Sequence, residues 1–441
     1  MDKTVTILGG GESGIGAAVL ALKHDYNVFV SDNNFIKKER KKILNKHNII
    51  YEEGGHSIGK ILSSNLIIKS PGIPNGIDLI KKIKEKDIEL ISEIEFASRF
   101  SKAKIIAVTG TNGKTTTSLL THHILKEAGY DVALAGNIGK SFAYEISKRD
   151  YDYVVLEISS FQLDNIIGFK PQISILLNIS PDHLDRYNGE LDAYIASKLR
   201  ITSNQRSNDV MIYNHDDENF KKINTQAKKI PISLKEEIKC DGGYYQKNKI
   251  NINLNNKTMT IEKLALKGTH NIFNSMAAAM AARVFEISDD IIRQSLIDFE
   301  NIEHRLEYVI TVHGIDFIND SKATNVNSAW YAIESMNKPF VWILGGVDKG
   351  NDYAELIKVA QQKKVKAIIC LGNNNKKIKD SFKNVVDIIE DANDMNEAVK
   401  KSYNIAESGD AVLLSPACAS FDLYENYEHR GSEFKKMVRS L

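Results

Sequence analysis

The stretch AVTGTNGKTTT, residues 107–117, decides the reading of this chain. It follows an apolar run, KIIAVTG, and precedes TSLLTHHILKEAG, which has the spacing of a helix. The pattern G-x-x-x-x-G-K-[ST] is incomplete, because Val108 stands at its first glycine. Gly110, Gly113, Lys114 and Thr115 remain, in the order strand, glycine turn, Lys-Thr, helix. Glycines let backbone N–H groups close around phosphate oxygens, and a helix N-terminus adds positive potential. Lys114 is placed to reach the β- and γ-phosphates, and Thr115 to ligate Mg²⁺. The loop predicts a nucleoside triphosphate site at the carboxyl end of a parallel strand, hence an α/β fold.

Such a loop needs an acid at the end of a neighbouring strand to hold the metal. YDYVVLEISSFQ supplies Glu157. ILLNISPDHLDRYNG repeats the device, an apolar strand ending in a turn with Asp182, His183, Asp185 and Arg186. A lone histidine is more often structural than a ligand, so His183 stands open between the two. Lys198, in LDAYIASKLRI, reads by itself as a solvated helix residue. Nearer the N-terminus, ILGGGESGIG (7–16) follows the strand VTIL and places glycines at 9, 11 and 14. A helix and the strand NVFVSD, ending in Asp32, complete the outline of a dinucleotide fingerprint. Alone that fingerprint would support an NAD-dependent oxidoreductase, but such a protein leaves the second phosphate loop without a purpose. Glu12 also sits awkwardly for a bound pyrophosphate.

At 441 residues the chain is expected to form two to four domains. Hydrophobic residues make up 42% and charged ones 26%, the balance of a globular protein, and a net charge of +1 gives no footprint for nucleic acid. Cys240, Cys370 and Cys418 are too far apart for a metal or disulfide framework. No signal-peptide pattern opens the chain and no eighteen-residue apolar window occurs, so a cytoplasmic enzyme without membrane insertion is expected. Strand-like and helix-like runs alternate in three blocks, 1–92, 93–302 and 303–441. Within the second, residues 236–263 lose the helical period and predict short antiparallel strands. The third carries FVWILGG, KAIICLG and AVLLSPA as strands.

TGTNGKTTT, AGNIG (135–139), LEISSFQL (156–163), NISPDHLDRY (178–187), GTHNIFN (268–274), NDSKATN (319–325) and LLSPACASFDLYENYEHRG (413–431) together resemble the motifs of the Mur ligases, most closely the branch that adds D-glutamate. They occur in family order across nearly the whole chain. The resemblance implies a Rossmann-like N-terminal domain, a central ATPase-like domain with a mostly parallel sheet, and a Rossmann-like C-terminal domain. It implies ATP-dependent amide-bond formation in peptidoglycan precursor synthesis. D-glutamate would be joined to UDP-N-acetylmuramoyl-L-alanine through an acyl phosphate, by a monomer using two Mg²⁺ ions and no NAD.

Carried over residue by residue, the resemblance assigns ATP to Gly110, Thr111, Asn112, Gly113, Lys114, Thr115 and Thr116, with Asn271, Arg305 and Asp320. By itself Asn271 reads as a helix cap. Thr115 and Glu157 would serve one ion; His183 and Lys198 would serve the other, Lys198 after carbamylation by CO₂ turns its cation into an oxygen donor. Lys114, His183, Lys198 and Lys322 are the catalytic candidates. The nucleotide sugar falls to Ser13, Asp32, Gly72, Asn137, Ser159, Gln162 and His183. The amino acid falls to Thr324, Lys349, Ser420, Phe421 and Tyr427, and the lysine and hydroxyls among these suit a ligand with two carboxylates. Tyr427 stands where phenylalanine is usual. L-glutamate or another amino acid as acceptor, and a regulatory P-loop NTPase, are the alternatives.

Overall fold

The computed structural model describes residues 3–441 apart from 183, 222, 267, 300–302 and 349. Its strands form three sheets. The first is wholly parallel, in the spatial order Ile50–Glu53, Asn27–Asp32, Thr4–Leu8, Leu66–Lys69, Glu89–Ser92. The order reverses between Thr4–Leu8 and Leu66–Lys69, the place where such sheets hold ligands beyond their carboxyl ends. Both the glycine turn and the Ser-Pro-Gly turn emerge there.

The second sheet has nine strands. The strand before the phosphate loop, Lys104–Thr109, lies between Tyr153–Glu157 and Ile173–Leu176, parallel to both. At its far edge Gly242–Gln246, Lys249–Leu254 and Lys257–Ile261 run antiparallel to one another, as the loss of helical period predicts. The third sheet is parallel except at one edge, where Glu307–Val312 turns back on Ile315–Asn319. Trp342 lies fully buried in it and donates its indole N–H to Ser415 O at 2.7 Å.

The chain separates into two compact units, Met1–Phe299 and Glu300–Leu441. Within the first unit, two sheets share one apolar core that runs from Val5, Ala17 and Ala18 to Phe142, Ala143 and Leu156. The helix Glu12–Lys23 of the first sheet packs on Phe142–Lys148 of the second. Gly16 makes this possible, since a Cβ there would fall 1.9 Å from Ser141 Oγ. Glu95 adds a polar tie, its Oε2 accepting the amides of Ile167, Gly168 and Phe169 at 3.0, 2.9 and 2.7 Å. Among the described residues no helix is long and apolar enough to cross a membrane.

Candidate functional site

The phosphate loop leaves its strand at Gly110 and enters the helix Lys114–Glu127 at Gly113. Gly113 has φ +84°, and a Cβ there would fall 2.4 Å from Asn274 Oδ1, so no other residue fits without strain. Asn178 holds the loop's shape. Its backbone oxygen accepts from Thr111 N (2.8 Å), its Oδ1 from Asn112 N (2.9 Å), and its Nδ2 donates to Asn112 O (3.0 Å). Thr111 Oγ1 donates to Ser180 O and lies 3.1 Å from the Tyr194 hydroxyl. Thr116 Oγ1 is buried without a protein partner. Asn271 lies inside the helix Thr269–Val284, whose cap is Gly268, so the cap reading fails. It touches the loop's surroundings through Asn274, which donates to its Oδ1 and accepts from Thr117 Oγ1, each at 3.3 Å.

Five side chains meet at the loop. Thr115 Oγ1 donates to Glu157 Oε2 at 2.6 Å, and Asn137 Nδ2 donates to Glu157 Oε1 at 2.8 Å. Lys114 Nζ donates to Gly110 O and Thr111 O, and Lys198 Nζ donates to the same Gly110 O at 2.9 Å. Lys198 is 2% exposed, which overturns the reading of a solvated helix residue. Its helix, Leu191–Leu199, lays that side chain against the loop and over the Tyr194 ring, 4.6 Å from the centroid. Burial, with repulsion from Lys114, holds the amine well below the ordinary lysine range, while Asp182 and Glu157 pull the other way. Thr115 and Glu157 offer the hard oxygens that Mg²⁺ prefers; an ammonium at 198 offers none. Among the described residues no three His, Cys, Asp or Glu side chains form a metal cluster, and His183 lies outside those residues.

The nucleotide-sugar candidates lie on the same unit. Ser159 and Gln162 form a capping box that starts the helix Ser160–Leu163. Arg186 lies 4.4 Å from the Phe161 ring centroid and donates to Gly72 O (3.2 Å) and Pro71 O (3.1 Å), so the segment after His183 grips the Ser-Pro-Gly turn. Lys69, buried at the end of its strand, closes that turn by donating to Ile73 O at 2.7 Å, and desolvation pulls it down to about 8. In the first glycine turn, Asp32 braces the backbone, accepting from Gly10 N (2.6 Å) and Asn34 N (2.8 Å). Ser13 sits in the first turn of the following helix. Glu12, awkward on paper, pairs with Lys140 at 3.5 Å and so faces the AGNIG turn.

In the second unit Asp320 is buried and accepts from Ser415 Oγ (2.8 Å) and Leu306 N (3.1 Å). Desolvation pushes it up to about 7 against the opposing pull of Ser415 and Arg305. Lys322 Nζ donates to the Tyr427 hydroxyl at 3.1 Å. Thr324 follows on the same loop, Ser420 is buried, and Phe421 is 71% exposed. Lys349 lies outside the described residues. The loops after Asn319 and Leu414 are joined by Arg430, which is 1% exposed. It donates to Ser321 Oγ (3.0 Å), Ser321 O (2.9 Å) and Cys418 O (3.2 Å).

Asn178, Tyr194 and Arg430 are the residues that sequence reasoning passed over as site builders. Only their places inside the quoted motifs could have flagged them, since each acts on a partner far along the chain.

The chain matches three family descriptions: the MurD N-terminal domain over residues 4–77, the Mur ligase middle domain over 108–282, and the Mur ligase, glutamate ligase domain over 304–418. A UDP-N-acetylmuramoylalanine–D-glutamate ligase of Christiangramia forsetii is 49% identical over 447 residues, covering 100% of both chains. One of Bacteroides fragilis is 48% identical, again over 100% of both. Among solved structures, the UDP-N-acetylmuramate–alanine ligase of Thermotoga maritima superposes with a TM-score of 0.65 at 18% identity over 99% of each chain. A MurF ligase of the same organism, in complex with ADP, gives 0.61 at 14% identity over 94% of this chain and 95% of its own. At such identities the structures speak for the fold.

Proposed function

Since this chain belongs to the Mur ligase family, we propose that it joins D-glutamate to UDP-N-acetylmuramoyl-L-alanine with ATP hydrolysed to ADP and phosphate. The observation that carries this reading is the phosphate loop itself, with Lys114 and Lys198 both on Gly110 O and Thr115 bonded to Glu157. In it a carboxylate oxygen of the nucleotide-linked substrate attacks the γ-phosphorus and ADP leaves. The glutamate amine then attacks the acyl carbon, and the tetrahedral intermediate, after the nitrogen loses a proton, expels phosphate to leave the amide. Both steps bring anions together, so positioning and charge neutralisation carry most of the catalysis. Lys114 turns from Gly110 O and Thr111 O to the phosphates. Thr115 and Glu157 would hold one Mg²⁺, and His183 with carbamylated Lys198 would hold a second; bound there, Mg²⁺ would supply positive charge to offset that of the phosphates. The neutral amine that burial favours at Lys198 is the form that adds CO₂, releasing one proton as the carbamate forms.

The first glycine turn takes the nucleotide sugar and the second takes ATP, so the two cradles serve two substrates of one reaction. Ser13, Asp32, Gly72, Asn137, Ser159, Gln162 and His183 would contact the former; Thr324, Lys349, Ser420, Phe421 and Tyr427 would take the amino acid. This reading divides the chain at 1–92, 93–302 and 303–441, segments that each contain one of the three sheets. It gives a monomer working in the cytoplasm, as the resemblance implies.

The test is phosphate release from ATP and Mg²⁺ with UDP-N-acetylmuramoyl-L-alanine, adding D-glutamate, L-glutamate, L-alanine or meso-diaminopimelate in turn. Release with D-glutamate alone supports the reading. Release with another amino acid reassigns the pocket, and release without any acceptor turns the chain into a regulatory NTPase. Lys114→Ala is expected to lower turnover by about a hundredfold. An intact mass unaffected by bicarbonate, with activity retained in Lys198→Ala, removes the carbamate.

A further inference from the structure

Phe35 is 81% exposed, more than any other large apolar side chain among the described residues. A single exposed apolar residue is ordinary on a protein surface, but this one stands on a loop fixed on both sides. Asn34 N donates to Asp32 Oδ1 at 2.8 Å, Ile36 N donates to Glu53 Oε2 at 2.8 Å, and Gly54 N donates to Asn34 O at 3.4 Å. Ile36 turns inward and is buried, so close to the glycine turn that a Cβ on Gly10 would fall 2.7 Å from it. Phe35, between these held residues, projects outward. Gly54 lies beside the ring, where an added Cβ would be 3.9 Å from two ring carbons. A larger residue at 54 would begin to cover the ring; glycine leaves it bare.

The position of this aromatic has a direction. The diphosphate end of the cradle is marked by the N-terminus of the helix Glu12–Lys23 and by Arg40, whose Nη1 lies 4.0 Å from where a Cβ on Gly11 would sit. Asp32 comes next, bonded to Gly10 N, and Phe35 follows three residues later on the loop folded over the turn. A nucleoside diphosphate laid with its phosphates at Gly11 and Arg40 and its ribose near Asp32 brings its base toward Phe35. Flat bases stack on aromatic side chains through their π-faces.

We infer that Phe35 is the stacking platform for the base of the nucleotide sugar, uracil in the substrate proposed above, and this inference rests on that reading. The experiment uses the full chain and uridine 5′-diphosphate as the probe, with ribose 5-phosphate, which has no base, as control. Calorimetry is expected to show Phe35→Ala binding uridine diphosphate about tenfold more weakly than the parent, with ribose 5-phosphate unaffected. Phe35→Trp restores the affinity. Because Trp330 and Trp342 both lie beyond residue 299, it also places a lone tryptophan in the first unit, quenched on adding uridine diphosphate. In turnover, Phe35→Ala raises the KM for the nucleotide sugar about tenfold and leaves kcat and the KM for ATP alone. Equal affinity of parent and Phe35→Ala for uridine diphosphate overturns the platform while leaving the nucleotide-sugar reading intact. A parent chain that does not bind uridine diphosphate overturns both.

Discussion

Replacing Arg430 with methionine tests whether one buried cation sets the geometry of the second unit's loops. The guanidinium is 1% exposed, and desolvation pulls it down to about 10, so it stays charged at neutral pH. Its three donors go to Ser321 Oγ, Ser321 O and Cys418 O. Methionine fills similar volume and donates nothing, leaving two backbone acceptors and a hydroxyl unserved. Each orphaned acceptor costs about 1–3 kcal/mol. Removing the buried charge returns part of that, because its desolvation disappears with it. A net loss of about 3 kcal/mol follows, and at about 2–4 °C per kcal/mol for a unit of this size the transition falls by about 6–12 °C. Both tryptophans of the chain, Trp330 and Trp342, lie in this unit, so a fluorescence melt reads it without interference from the first. Below the transition the KM for the amino acid should rise, since Ser321 precedes Lys322 and Thr324 while Cys418 precedes Ser420. Arg430→Lys should behave almost as badly, because one ammonium cannot span both loops. A melt within about 1 °C of the parent refutes the clamp. A lowered melt with an unchanged KM confines Arg430 to stability.

Three further outcomes are expected. Gly113→Ala must adopt φ +84° and push on Asn274; the KM for ATP rises about tenfold or more while that for the nucleotide sugar stays, and Gly59→Ala, in open space, serves as the neutral control. Glu93 is buried, with Oε1 accepting from Ala143 N at 2.5 Å and burial pushing it up to about 7 from 4.5. A raised carboxyl stabilises below pH 4.5 and loses that contribution as pH rises toward 7, so Glu93→Gln, which mimics the protonated form, should match the parent at pH 4 and exceed it at pH 8 by up to about 3 kcal/mol. Circular dichroism melts across pH decide it, and a constant difference refutes the assignment. Tyr427→Phe removes the acceptor of Lys322 and should lower kcat about tenfold with little change in melting. In a Lys322→Ala background it should add nothing, and additive losses would separate the two residues.

What the sequence made legible was local. A strand, a glycine turn and a helix N-terminus follow one another within a dozen residues, so both cradles can be read from composition and order. The burial of Lys198 cannot, because its helix carries polar residues on several sides. Its inward face is set by Gly110, 88 residues away. Arg430 and Asn178 fail to announce themselves for the same reason: a side chain that bonds distant backbone atoms looks like any surface residue of its type. Gly16 gave no signal of its own. It lies beyond the fingerprint glycines at 9, 11 and 14, and its lack of a side chain serves the packing against Ser141 that joins two sheets in one unit.

The protein's own hydrogen bonds also bear on how the site receives its ligands. Lys114 and Lys198 both donate to Gly110 O, so two amines converge on one carbonyl, and burial together with Lys114 holds the Lys198 amine well below the ordinary lysine range. Two changes relieve this. Drawing Lys114 onto a phosphate removes one cation from the carbonyl and replaces its bonds with charge-assisted ones. Converting Lys198 to a carbamate reverses its sign, so that Lys114 meets an anion where it met a cation. Separately, Thr115 and Glu157, joined by a hydrogen bond of 2.6 Å, keep a hydroxyl and a carboxylate close enough that they could share one ion. In the proposed reading, burial that is costly for a plain lysine favours the neutral amine, the form that would add CO₂.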